Sequence, residues 1–92
     1  MIKVEGRNLW RGGTKIGYVG HDYILDHSGE KVGFFAGNHI MDRTGQKIAE
    51  ISGDYILVYG GQKIRIEDNN RDVIDGELSN VERAAARLVL GE

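Results

Sequence analysis

The stretch LDHSGEKVGFFAGNHI, from Leu25 to Ile40, is the second of four segments that repeat one pattern every 16 residues. The other three are LWRGGTKIGYVGHDYI (Leu9–Ile24), MDRTGQKIAEISGDYI (Met41–Ile56) and LVYGGQKIRIEDNNRD (Leu57–Asp72). Glycine fills one column of this alignment, at Gly13, Gly29, Gly45 and Gly61, and lysine fills another, at Lys15, Lys31, Lys47 and Lys63. A fixed period indicates one small structural unit that is stacked or arranged around an axis.

Each unit has the turn residues of a β-hairpin. The spacing Asp-x-x-Gly-x-Lys, as at Asp26 to Lys31, predicts a type I turn followed by a left-handed glycine that forms a G1 bulge. A second turn follows at Gly37–Asn38, with counterparts at Gly53–Asp54 and His21–Asp22. Every unit is therefore expected to contain two short antiparallel strands and two tight turns.

The period ends before the C-terminus. Ser79 and Glu82 have the spacing of a capping box, and the alanines at 84–86 favour a helix that Gly91 can end. We therefore expect residues 1–92 to form a single domain, with a leading strand (1–8), four β-repeats and a closing strand (9–75) and a helix (79–90). The predicted fold is mainly β, with four 16-residue antiparallel hairpin repeats in a meander around a pseudo-fourfold axis and one C-terminal amphipathic helix.

Both faces of the first three units are apolar or small. Gly17, Gly33 and Ala49 form a column of small residues, which predicts close approach of another backbone or ring. The helix could cover this face, or a second copy of the chain could cover it, and the periodicity does not distinguish the two. The candidate interface residues are Phe35, Ile51, Val81 and Leu88.

The glycine and lysine columns, the Tyr-Ile or His-Ile pairs at 23, 39 and 55 and the tail SNVERAAARLVLGE together resemble the four-fold beta flower family. These are small bacterial proteins in which four similar hairpin units surround a pseudo-fourfold axis. The resemblance covers nearly the whole chain. It implies a fold and brings no established activity with it.

The composition excludes several classes of protein. The 12 basic and 14 acidic residues give a net charge of −2 and form no basic stripe, so no nucleic-acid partner is expected. Cysteine is absent, which excludes disulfides and thiolate chemistry. No segment approaches the roughly 20 apolar residues of a membrane span. We expect a cytoplasmic protein without a membrane partner.

Neither a catalytic site nor a metal or cofactor site is predicted. The three histidines, His21, His27 and His39, occupy different columns, which does not favour a metal site. Asp26, Asp42 and Asp75 share a column, but aspartate before a turn usually accepts hydrogen bonds from the turn amides. The lysine column could bind an anion, although a solvated face is the simpler interpretation.

The best candidate for a binding surface lies beside the second turn of each unit. Aromatic and hydrogen-bonding residues recur there, at Tyr23, His39 and Tyr55, next to Asp22, Asn38 and Asp54. We expect a non-enzymatic module that binds a small molecule or a protein partner and self-associates. The alternative is a structural or assembly module whose apolar second face is a subunit interface.

Overall fold

A single sheet of ten strands and two helices makes up the described part of the chain, residues 1–91 of the computed structural model. The strands are β1 (Ile2–Glu5), β2 (Asn8–Arg11), β3 (Thr14–Val19), β4 (Tyr23–Asp26), β5 (Lys31–Ala36), β6 (His39–Asp42), β7 (Lys47–Ser52), β8 (Tyr55–Val58), β9 (Lys63–Arg65) and β10 (Val73–Ile74). The helices are α1 (Ile66–Asp72) and α2 (Asn80–Leu90). The fold is therefore mainly β with a C-terminal helix, as the sequence predicts.

The first nine strands form an antiparallel meander, and β10 returns to pair with β1 in parallel. The sheet is thus open, with β9 at one edge and β10 at the other. Successive hairpins are also joined across their turns. The carbonyl oxygens of Arg7, Asp22, Asn38 and Asp54 accept hydrogen bonds from the amides of Val19, Phe35, Ile51 and Ile66 at 2.8–3.0 Å.

The predicted type I turn with its bulged glycine is confirmed in the second and third units, whereas in the fourth unit Gly60 has φ of 109°, so the turn before Gly61 is not type I. Gly29 and Gly45 both have φ of 87°, and Gly61 has φ of 103°, in the left-handed region that favours glycine. Their amides donate to the carbonyls of Asp26, Asp42 and Val58 at 3.0–3.1 Å, which closes each turn.

The fourth unit departs from the predicted strand at Ile66. Residues 66–72 form α1 instead of continuing β9, because acidic and basic side chains three and four residues apart stabilise a helix there. Arg71 forms ion pairs with Glu67 at 3.0 Å and with Asp68 at 3.2 Å. The predicted closing strand is reduced to two residues, since Asp75 has φ of 65° and ends β10.

Helix α2 begins after Ser79, and the predicted capping box is present. The Glu82 amide donates to Ser79 Oγ at 3.3 Å, and the Ser79 amide donates to Glu82 Oε1 at 2.8 Å. Ala84, Ala85 and Ala86 have no exposed surface. Consecutive helical residues are about 100° apart around the axis, so the helix is enclosed over more than half its circumference.

The inner face of the sheet packs on α2, which contacts β3, β4, β5 and β6. The sequence leaves open whether the helix or a second copy of the chain covers the column of small residues, and in the structure the helix covers it. Phe35 is 7% exposed within one chain, whereas Ile51, Val81 and Leu88 are half-buried and pack against the same core. A role of these residues in a subunit interface stays a prediction.

The small column makes this packing possible. A Cβ atom on Gly33 would lie 2.6 Å from Val89 Cγ1, and one on Gly17 would lie 2.9 Å from Leu90 Cδ1 and 2.6 Å from the Leu25 carbonyl oxygen. Larger side chains at these positions would force the helix away from the sheet.

Two guanidinium groups fix the helix to the rest of the chain. Arg83 donates to the carbonyl oxygens of Val73, Gly76 and Leu78 at 2.8–3.1 Å, which holds the loop before α2. Arg87 lies 3.2 Å from the Asp72 carboxylate and joins α2 to α1.

We predict that Gly33→Ala lowers the free energy of unfolding by about 1–3 kcal/mol, because the new methyl group overlaps Val89. Since this neighbour is a side chain, Val89→Ala should recover part of the loss in the double variant. Gly17→Ala is the comparison. Leu90→Ala should not restore its stability, because the atom nearest to the new methyl group is the carbonyl oxygen of Leu25, which belongs to the backbone. Denaturant titrations of the four single and two double variants measure the coupling, and equal rescue at both positions would contradict this packing.

Candidate functional site

The outer face of the sheet is defined by strand register, because directly paired residues point to the same side. Lys3, Trp10 and Lys15 are paired across β1–β3, and Tyr18, Leu25 and Lys31 across β3–β5. Two further rows cross the sheet in the same way: Tyr23, Phe34, Met41 and Lys47, then His39, Glu50, Leu57 and Lys63. Each of these rows ends on a lysine.

All five lysines of the chain therefore lie on one face. Five of the seven aromatic residues share it: Trp10, Tyr18, Tyr23, Phe34 and Tyr55. With Arg65, the face carries six cations against the carboxylates of Glu5 and Glu50, a formal charge of +4 in a chain whose net charge is −2. The basic residues are dispersed in the sequence, and the pairing of the strands brings them together on this face.

Each lysine of the repeated column lies near a tyrosine ring. The Nζ atom lies 5.9 Å from the ring centroid for Lys15 and Tyr18, 4.5 Å for Lys31 and Tyr23, 5.6 Å for Lys47 and Tyr59 and 4.1 Å for Lys63 and Tyr55. Such a contact at an exposed site contributes about 0.5–1 kcal/mol. The contact therefore favours a position of the ammonium group over the ring, so these lysines are not simply solvated side chains.

Lys47 has a second partner on the same face. Its ammonium group donates to Glu50 Oε1 at 2.8 Å. This hydrogen bond raises the pKa of Lys47 and lowers the pKa of Glu50, so both groups are charged over the whole neutral range. Lys47 is therefore the lysine of this column whose charge is most directly offset.

The three predicted ring positions lie in a row at one edge of the outer face. Tyr23, His39 and Tyr55 begin β4, β6 and β8, which are parallel to one another and two strands apart. Strands are about 4.8 Å apart, so adjacent members are separated laterally by roughly 10 Å. Lysines already occupy the faces of Tyr23 and Tyr55, and a Cβ atom on Gly20 would lie 2.2 Å from the Tyr23 ring.

The predicted polar partners Asp22, Asn38 and Asp54 are in the turns at the same edge, where their carbonyl groups bind the next hairpin. Asp54 also lines a concavity of about 410 Å³ with Arg65, Glu67, Asn70 and Asn80. The side-chain Nδ2 of Asn70 donates to Asn80 Oδ1 at 3.0 Å beside this concavity.

The aspartates before the bulged turns are structural. Asp26 Oδ1 accepts from the Ser28 hydroxyl at 2.6 Å and from the amides of Ser28 and Glu30. Asp42 makes the same bonds with Thr44 and Gln46. The hydroxyl hydrogen bonds, above all, lower the pKa of both carboxyl groups, so neither can act as a proton donor at neutral pH.

Within residues 1–91, no three histidine, aspartate or glutamate side chains come together as a metal site. The same part of the chain has no helix with the length and apolar character needed to cross a bilayer. Comparison with protein-family models, curated proteins and solved structures gives no match.

The carboxylates of Asp26 and Asp42 should make the free energy of unfolding depend on pH in the acid range. Because the folded-state pKa of Asp26 and of Asp42 lies below the ordinary value of 3.8, their contribution is complete above that pH and is lost as the pH falls through the folded-state values. We predict that Asp26→Asn with Asp42→Asn flattens the acid limb of a plot of unfolding free energy against pH. Ser28→Ala with Thr44→Ala should flatten it partly, and an acid limb identical to that of the parent chain in the aspartate variant would contradict this assignment.

Proposed function

We propose that this chain is a non-enzymatic binding module that holds anionic groups of its partner on the outer face of the sheet. The observation that supports this most directly is the location of all five lysines and five of the seven aromatic residues on that one face. Lysines placed only for solubility would be expected on every surface, including the helices, and neither α1 nor α2 contains one.

The lysine spacing favours an extended anionic partner over a compact one. The column lysines are on β3, β5, β7 and β9, which places them roughly 10 Å apart in a row across the sheet. One small anion reaches at most one or two of these groups, whereas an acidic protein segment can contact several. The expected partner is therefore an acidic stretch of protein.

Two further features belong to this proposal. The hydrogen bonds that join successive hairpins recur in each unit, which supports four units arranged around a pseudo-fourfold axis and the resemblance to the beta flower family. The column of Tyr23, His39 and Tyr55 forms one edge of the binding face. Self-association remains part of the proposal, although the assembly alternative loses its main argument because α2 covers the second apolar face.

We predict that a poly-glutamate peptide binds the chain and changes the fluorescence of Trp10, the single tryptophan, which lies on the outer face. A variant with Lys31→Gln, Lys47→Gln and Lys63→Gln should bind at least 10-fold more weakly, and the affinity of the parent chain should fall as salt is added. The matched control replaces Arg43 and Arg71 with glutamine, away from this face, and is compared with the double variant Lys31→Gln with Lys63→Gln, which removes the same charge from the face. Equal losses in both variants would contradict a specific face.

The thermal midpoint of unfolding distinguishes a variant that has lost binding from one that has lost its fold. The lysine variant should retain its cooperative unfolding transition, because each cation–π contact contributes only about 0.5–1 kcal/mol. Parent chain that does not bind poly-glutamate at low salt would overturn the proposed function.

A further inference from the structure

The first unit differs from the others at its hairpin turn. Trp10 occupies the column in which the second and third units have the turn-closing aspartates Asp26 and Asp42. The turn itself is a two-residue loop, Gly12–Gly13, with φ of 57° and 84°, between the paired residues Arg11 and Thr14. Positive φ at both central residues is the geometry of a type I′ turn, so the bulged turn predicted for this unit is wrong.

The shorter turn changes which side chains face outward. In the second unit Leu25 is paired with Lys31 on the outer face, whereas Leu9 in the first unit faces the core and is fully buried. Trp10 instead lies outward between Lys3 and Lys15. A one-residue offset of β2 against β3 reverses the faces of the β2 side chains, and here it places a tryptophan on the lysine-bearing face.

A concavity of about 450 Å³ lies next to this tryptophan, within the range of small-molecule sites. Its walls are Lys3, Glu5, Trp10, Gly12 and Gly13. Nothing lies within 4 Å of the position that a Cβ atom would take on either glycine, so the turn leaves this wall open. The site thus offers a cation, a carboxylate and an indole ring around one space.

The indole N–H of Trp10 has no hydrogen-bond acceptor among the described residues, although the atom is shielded from solvent. Leaving a donor unpaired in this way costs about 1–3 kcal/mol. The other units avoid such a cost by placing a carboxylate or an aliphatic residue in this column. A departure from the repeated pattern that leaves a buried donor unpaired is typical of a binding position.

We propose that this concavity, the Trp10 site, binds a planar aromatic group that carries a carboxylate. The ring packs against the indole, the carboxylate pairs with Lys3, and a small rotation of the indole brings its N–H to a carboxylate oxygen. Glu5 repels a second anion and accepts a hydrogen bond from a polar hydrogen of the ligand. This inference rests on the proposed function, since it assigns one particular site on the same anion-binding face.

The test uses benzoate as the probe and the amide NMR spectrum of the ¹⁵N-labelled chain as the readout. Because the chain has one tryptophan, its spectrum contains one indole N–H signal. We expect benzoate to shift that signal and the Gly12 and Gly13 amides together, with a single Kd on the order of 1 mM for a ligand of this size. Gly29 and Gly45, the equivalent turn glycines of the next two units, are the internal control and should not move.

Acetate and benzyl alcohol separate the charge from the ring, and each alone should bind at least 5-fold more weakly than benzoate. Lys3→Gln should weaken benzoate binding about 5–10-fold, whereas Lys63→Gln, a matched loss of charge across the same face, should leave it unchanged. Trp10→Phe keeps an aromatic ring and removes the N–H, and about a 10-fold weaker Kd is expected. An unchanged Kd in Trp10→Phe would overturn the role given to the indole N–H.

Equal shifts at Gly13, Gly29 and Gly45, or an effect of Lys63→Gln equal to that of Lys3→Gln, would overturn the Trp10 site. If poly-glutamate binds but benzoate does not, only the Trp10 site is rejected. If benzoate binds but poly-glutamate does not, only the wider binding face is rejected. A peptide that ends in phenylalanine with a free carboxylate identifies the source of the ligand. Tighter binding of the peptide than of benzoate favours a protein C-terminus, and the opposite order favours a free aromatic acid.

Discussion

The close packing of α2 against the inner face of the sheet is the constraint on which the rest of the structure depends. Three consecutive alanines are completely buried, and Val89 and Leu90 lie where Gly33 and Gly17 leave room for them. The chain has no disulfide, and the described residues include no metal cluster, so this contact has to supply much of its apolar burial. A domain of this size buries a smaller share of its surface than a large one, which makes the enclosed helix energetically important.

Because α2 covers the inner face of the sheet, the side chains that could bind a partner lie on the outer face. Because the helix fills that side with small and aliphatic residues, the charged and aromatic side chains of the strands alternate to the other side. The repeated unit then places one lysine on every second strand, and the meander brings the four into a row beside Lys3. Four of these ammonium groups lie 4.1–5.9 Å from tyrosine rings, and a chain with an acidic net charge thereby presents a face that is both basic and aromatic.

The sequence predicts the repeated elements well because turn chemistry is local. The left-handed glycines at 29 and 45, the capping box at Ser79 and the need to cover the small column all follow from short motifs. Helix α1 is missed because Ile64 and Ile66 continue the strand alternation, whereas ion pairs of Arg71 and contacts with α2 favour the helix. The basic face is missed because lysines 16 residues apart look dispersed until strand pairing brings them together. The departure of Trp10 from the aspartates of the next two units is a visible signal of the Trp10 site, but only the register shows which face receives the ring.

If α2 holds the sheet in its folded form, a chain that ends at Leu78 should not fold. The amide NMR spectrum of this shortened chain should collapse to the narrow dispersion of an unfolded polypeptide. Adding a peptide of residues 79–91 should restore the dispersed signals of β3 to β6, because these strands contact the helix. A shortened chain that keeps its dispersed spectrum and unfolds cooperatively without the peptide would show that the sheet does not depend on α2.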